Sequence, residues 1–124
     1  VNANRTFPRD VHSIPQARRF TRDTLTHLDD ETLAAVELMV SELTTNSIKH
    51  ARSAFTLTIR VASSELRVEV QDHGPGTPVL GSPAPPEPSG RGLQIVNTLS
   101  TRWGQDVTRG GKLVWFELED GTLR

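Results

Sequence analysis

Two stretches of strict alternation, AFTLTIRVA (54–62) and ELRVEVQ (65–71), follow one another across a short polar link at Ser63 and Ser64. Successive side chains of a strand point to opposite faces, so Phe55, Leu57, Ile59 and Val61 share one face, as do Leu66, Val68 and Val70. Segments of this phase and closeness pair as an antiparallel hairpin with one apolar side. Near the end of the chain TRWGQDVTR (101–109) and KLVWFELE (112–119), joined through Gly110-Gly111, repeat the pattern. Paired glycines are a favoured signal for a tight hairpin turn. Hairpins that are apolar on one side need a second layer to cover them.

The rest of the chain supplies that layer. Ser13 followed by Ile14 and Pro15 predicts an N-cap and first-turn proline, opening a helix with Ala17, Phe20, Thr24 and Leu28 at helical spacing. LDDETLAAVELMVSELTTNSIKHA (28–51) predicts a longer helix capped at Asp29 or Asp30, with Leu33, Val36, Val40, Leu43 and Ser47 facing inward. Residues 77–90, TPVLGSPAPPEPSG, hold five of the eight prolines and predict a loop of the kind that serves as a lid. RGLQIVNTLS (91–100) follows as a helix entered through glycines, with Leu93, Ile95, Val96 and Leu99 supplying its apolar face. The first twelve residues are expected to form a flexible arm. The order α-α-β-β-loop-α-β-β predicts an α+β fold, a two-layer sandwich whose mixed, mostly antiparallel sheet is covered on one face by helices, in a single domain over 1–124.

A chain of 124 residues is long enough to bury about two thirds of the surface exposed by its unfolded form. The formal net charge of −1 lacks the basic footprint of direct nucleic-acid binding. No apolar run approaches the roughly 18 residues that a membrane span requires. Cysteine is absent, which excludes disulfides and thiolate metal sites and fits a reducing compartment. VNANRTFPRD has no apolar stretch of the secretory type, and a cytoplasmic location is expected.

Three short patterns carry chemistry. DHGPG (72–76) ends the second alternating segment, and taken alone it is a turn. Asp72, however, continues the parity of Leu66, Val68 and Val70, which directs an acid to the core side. A carboxylate there needs hydrogen bonds or a ligand pocket. On the long helix Glu42, Asn46 and His50 recur every four residues, with Lys49 beside them. Such spacing describes either a solvated face or a site in which a neutral amide oxygen holds Mg²⁺ and a carboxylate takes a proton. SGRGLQIV (89–96) places Gly90 and Gly92 where the proline-rich segment turns into a helix. Either it is a flexible entry, or it lets phosphate approach free N–H groups at the helix start, with Arg91 adding a cation. No set of ligands has the spacing of a zinc site.

E-x-x-x-N on a helix, D-x-G-x-G after a strand and G-x-G-L after a long loop, in this order over residues 30–119, resemble the N box and two glycine boxes of the Bergerat-fold, or GHKL, ATP-binding superfamily. The resemblance implies ATP and Mg²⁺ as ligands. Asp72 would accept a hydrogen bond from the adenine amino group, and Gly74 and Gly76 would let the chain pass close to the base. Asn46 would hold the metal, Lys49 and His50 would stand beside the nucleotide, and Gly90, Arg91, Gly92 and Leu93 would line the phosphate end. The small size and the RWG…GGKLVWFEL ending resemble the anti-sigma-factor serine kinases, which implies Glu42 as general base, an antagonist protein as phosphoacceptor and a sigma factor as the sequestered partner. A nucleotide-regulated binding module without phosphotransfer is the alternative. The first helix, with Trp115 and Phe116 of the last segment, is a candidate surface for a partner or a homodimer, although aromatic residues in strands are ordinarily buried and core packing is the expectation.

Overall fold

The computed structural model describes residues 2–51, 53–73, 86–108 and 110–119, with the backbone alone over 86–92. The elements run β1 (Asn2–Phe7), α1 (Ser13–Thr24), α2 (Asp30–His50), β2 (Phe55–Ala62), β3 (Glu65–Asp72), α3 (Pro86–Leu99), β4 (Arg102–Thr108) and β5 (Gly111–Leu118). The strands form one sheet in the order β1-β2-β3-β5-β4. Every described pairing is antiparallel, so the sheet is not mixed as expected.

Both hairpins form where alternation places them. Val61 pairs with Leu66 and Phe55 with Asp72 in the first, while Thr108 pairs with Gly111 at the turn of the second. Their apolar residues face the helices. Phe55, Leu57, Ile59, Leu66, Val68, Val70, Val114, Phe116 and Leu118 are all buried, and α2 covers them with Val36, Met39, Val40 and Leu43. Helix α2 packs between α1 and α3 and over β3. Its start is fixed locally, because the Asp29 carboxylate accepts the Thr32 N–H at 2.6 Å, satisfying one of the N–H groups that every helix start leaves open.

β5 pairs centrally between β3 and β4 although β4 precedes it in the chain. The physical reason is polarity: β5 buries Val114, Phe116 and Leu118 on its inner side, whereas β4 is largely exposed and suits an edge. The face opposite the helices carries ion pairs. Arg67 meets Glu69 at 2.7 Å and Glu117 at 2.8 Å and lies over the Trp115 ring, 4.2 Å from its centroid. Trp115 therefore packs under a guanidinium on the polar face, while its neighbour Phe116 is in the core. Gly104 leaves room for the same indole, which passes 2.7 Å from where a Cβ would stand.

Three local expectations are corrected. Residues 2–7 are not an arm but an edge strand paired with β2 from Asn2↔Arg60 to Phe7↔Phe55. The anchor is Phe7, 1% exposed, whose ring stacks on Phe55 at 5.5 Å and meets Phe20 edge-on at 6.2 Å. Ser13 does not cap α1. His12 holds the cap position without a side-chain bond, and the Ser13 hydroxyl donates to the Pro8 carbonyl at 2.8 Å. Finally, α3 begins at Pro86 rather than at residue 91. Pro86 and Pro88 fit its first turn, where backbone N–H groups have no helical partner to lose.

Candidate functional site

The chemically interesting residues lie on the C-terminal turns of α2, at the end of β3 and at the start of β5. On α2, Glu42 is half-buried, and Asn46, one turn on, is 8% exposed. Lys49 and His50 follow on the exposed last turn. This turn is tied to the chain before α1, because Arg9 Nε donates to the carbonyls of Ile48 at 3.0 Å and Ala51 at 2.7 Å. A cation on the last carbonyls of a helix both satisfies them and complements its dipole. Arg9 thus holds the segment bearing Asn46, Lys49 and His50. Nothing in its local sequence signals that role.

Asp72 closes β3 with the parity of Val68 and Val70, on the side of the helices, and is half-buried. Its carboxylate accepts the Lys112 N–H at 3.1 Å. Gly111, at φ 155°, lies so close that a Cβ on it would overlap both the carboxylate and the carbonyl oxygen of Asp72. Glycine is therefore required for contact rather than for the turn alone. The acid is seated against the beginning of β5, as a core-side carboxylate needs. The next residue, His73, takes no part. Its N–H donates to Ser53 Oγ at 2.8 Å and to the Ala54 carbonyl at 3.2 Å, and its Nε2 meets Thr56 Oγ1 at 2.7 Å on the exposed side.

Lys112 stands on the inner side of β5, in phase with Val114, and is half-buried. It and Lys49 are the two lysines of the chain, and both act on His50. Loss of hydration, then the Lys112 charge and the Lys49 charge, hold this imidazole below its ordinary value of 6.5. Beside Asn46 the Ser47 hydroxyl is buried and has no hydrogen-bond partner among the described residues. A buried orphan hydroxyl is uncommon and asks for a ligand or water.

Other expected site residues are placed differently. Gly74, Gly76 and the lid residues 77–85 lie outside the described residues. Gly90, Arg91 and Gly92 fall inside α3, because the helix start expected at residue 91 is instead at Pro86. Leu93 packs against the core. The apolar groove between α2 and α3 is lined by Leu38, Gln94, Ile95, Thr98 and Leu99 and includes none of these polar groups. Among the described residues no three His, Asp or Glu side chains cluster to hold a metal, and no helix is long and apolar enough to cross a membrane.

Comparison with known proteins follows the same lines. No curated protein matches the chain. Among solved structures, the RsbU and RsbW domains of Rv1364c from Mycobacterium tuberculosis superpose with a TM-score of 0.74 at 16% identity, over 96% of this chain and 32% of that one. The histidine kinase domain of the blue-light activated kinase EL346 from Erythrobacter litoralis gives 0.60 at 22%, over 94% and 63%. The catalytic domain of the histidine kinase ThkA gives 0.57 at 15%, over 95% and 96%. Identities this low speak for the fold. The chain spans about a third of the first of these structures and just under two thirds of the second. The family model for the histidine kinase-like ATPase domain matches residues 7–118, from the buried end of β1 to the end of β5. ATP binding goes with that description, and the chain belongs to the histidine kinase-like ATPase domain family.

Proposed function

We propose that this domain binds Mg-ATP between the end of α2 and the end of the β3–β5 pair and acts as a protein serine kinase of the anti-sigma-factor type, phosphorylating a small antagonist protein and sequestering a sigma factor. The carrying observation is the Asp72 carboxylate, held on the helix side of the sheet by the Lys112 N–H and the close approach of Gly111. A carboxylate so placed accepts a hydrogen bond from the adenine amino group. Gly74 and Gly76 let the chain pass the base. Asn46 offers a neutral oxygen to Mg²⁺, an ion that takes few protein ligands and keeps waters and phosphate oxygens as the others. When bound, the metal supplies charge neutralisation at the phosphates. Lys49, His50 and, from α3, Gly90, Arg91 and Gly92 flank the phosphate end. Glu42 takes the proton of the attacking serine hydroxyl.

The kinase assignment rests on the resemblance carried by the three motifs and the RWG…GGKLVWFEL ending; sharing a fold with the RsbU and RsbW domains of Rv1364c is consistent with it. The test is a thermal melt with Mg-ATP combined with transfer of labelled phosphate. At about a hundred times Kd the ligand adds roughly 2.7 kcal/mol, a rise of several degrees for a domain of this size. Asp72→Asn should lose the rise and keep the fold. Glu42→Ala should keep the rise and lose about 10²–10⁴-fold in transfer. The absence of any rise in the unmodified chain refutes the ATP site. A rise without transfer to any candidate acceptor refutes the kinase and leaves nucleotide-regulated binding.

A further inference from the structure

Lys112 is the chemically conspicuous residue that the motif reading leaves without a role. In the β3–β5 register Gln71 is the last residue paired, with Leu113; just past it Asp72 and Lys112 come opposite one another, where the Lys112 N–H donates to the Asp72 carboxylate at 3.1 Å. Side chains directly opposite in a sheet stand about 5 Å apart at Cβ. Strand parity puts both on the helix side, Asp72 with Val70 and Lys112 with Val114, and both are half-buried. Across the gap Lys112 is close enough to the last turn of α2 for its charge to act on His50. An acceptor and a cationic donor thus stand side by side on one wall, facing the end of α2. A carboxylate can accept several hydrogen bonds at once.

A single carboxylate can read one group of a purine. A carboxylate beside an ammonium can read two adjacent ones. The edge of adenine that carries the exocyclic amine, a donor, has ring N1, an acceptor, next to it. We propose that Lys112 is a second base-reading residue, its ammonium donating to ring N1 of adenine while Asp72 accepts from the exocyclic amine. This rests on the ATP-site reading above and adds to it a specificity determinant contributed by β5. It also gives a reason for the close seating of Gly111, because the same contact that orients Asp72 sets the start of the strand from which Lys112 projects.

The experiment compares ATP with 1-deaza-ATP, which keeps the amine and replaces ring N1 by C–H, by titration calorimetry on the full chain. The unmodified protein should bind the analogue at least about tenfold more weakly, the size of a lost hydrogen bond from a charged donor. In Lys112→Met the two nucleotides should bind equally, both near the affinity of the unmodified chain for the analogue. Lys112→Gln is the second variant if the first does not fold, and the comparison on the unmodified chain needs no substitution. Equal binding of both nucleotides to the unmodified chain overturns the role of Lys112 and leaves the ATP site standing. Undiminished discrimination in either variant does the same. If the unmodified chain binds neither nucleotide, the ATP site and the inference both fall.

Discussion

Replacing Gly111 by alanine tests whether the seating of Asp72 is structural fact or coincidence of register. The added methyl would overlap two oxygens of Asp72, one on the backbone of a central strand and one on a carboxylate already bonded to the Lys112 N–H. Neither is the free end of a flexible side chain, so β5 must shift away from β3. Forced overpacking costs about 1–3 kcal/mol, and holding an alanine at the φ of 155° adds about 1–3 kcal/mol. Together these imply a loss of about 2–6 kcal/mol, a large share of the 5–15 kcal/mol typical of a domain. At roughly 4 °C per kcal/mol the midpoint should fall by about 8–24 °C. Gly110→Ala is the internal control, because nothing lies within 4 Å of its Cβ position. Urea and thermal unfolding of the two variants, with unchanged m-values to show a common unfolded state, give the comparison. Because the displaced atoms belong to Asp72, the folded Gly111→Ala protein should also show a smaller stabilisation by Mg-ATP. Equal, small losses in the two variants would refute the argument from close contact.

Two further outcomes concern protonation. His50 should titrate below 6.5 when followed by NMR of its ring, and Lys112→Met should raise its midpoint by removing a neighbouring positive charge. The fold favours the neutral ring, so protonation of His50 weakens stability as pH falls below 6.5. No change in the midpoint would mean that Lys112 does not face α2. Glu117 is held below its ordinary 4.5, first by the hydrogen bond from Arg67, against the opposing effect of burial, and then by Arg102. A depressed carboxylate stabilises the fold above the unfolded value and loses that contribution as pH falls through the lowered one. Melting temperature from pH 7 down to about 3, near the foot of the carboxylate range, should therefore drop less steeply in Glu117→Gln than in the unmodified chain. Parallel curves would show that the Arg67 and Arg102 contacts carry no linkage.

Periodicity alone determined the two hairpins, the inward face of α2 and the side of the sheet on which Asp72 stands, because strand parity and helix spacing are properties of neighbouring residues. The cap at Asp29 was legible for the same reason: its bond reaches only to Thr32. β1 was not legible. NANRTF has no alternation to read, and it becomes a strand because β2 has a free edge and the Phe7 ring finds Phe55 and Phe20. The start of α3 was misjudged because glycine invites a helix boundary in sequence, while the first-turn prolines extend the helix back to Pro86.

The site divides in the same way. Glu42, Asn46, Asp72 and the glycine motifs are visible as local patterns. Arg9 on the end of α2 and Lys112 beside Asp72 act across separations of 42 and 40 residues. Such partners depend on strand order and on how the helix layer lies over the sheet. Those are settled by burying two apolar surfaces against each other, a free energy that belongs to no single segment.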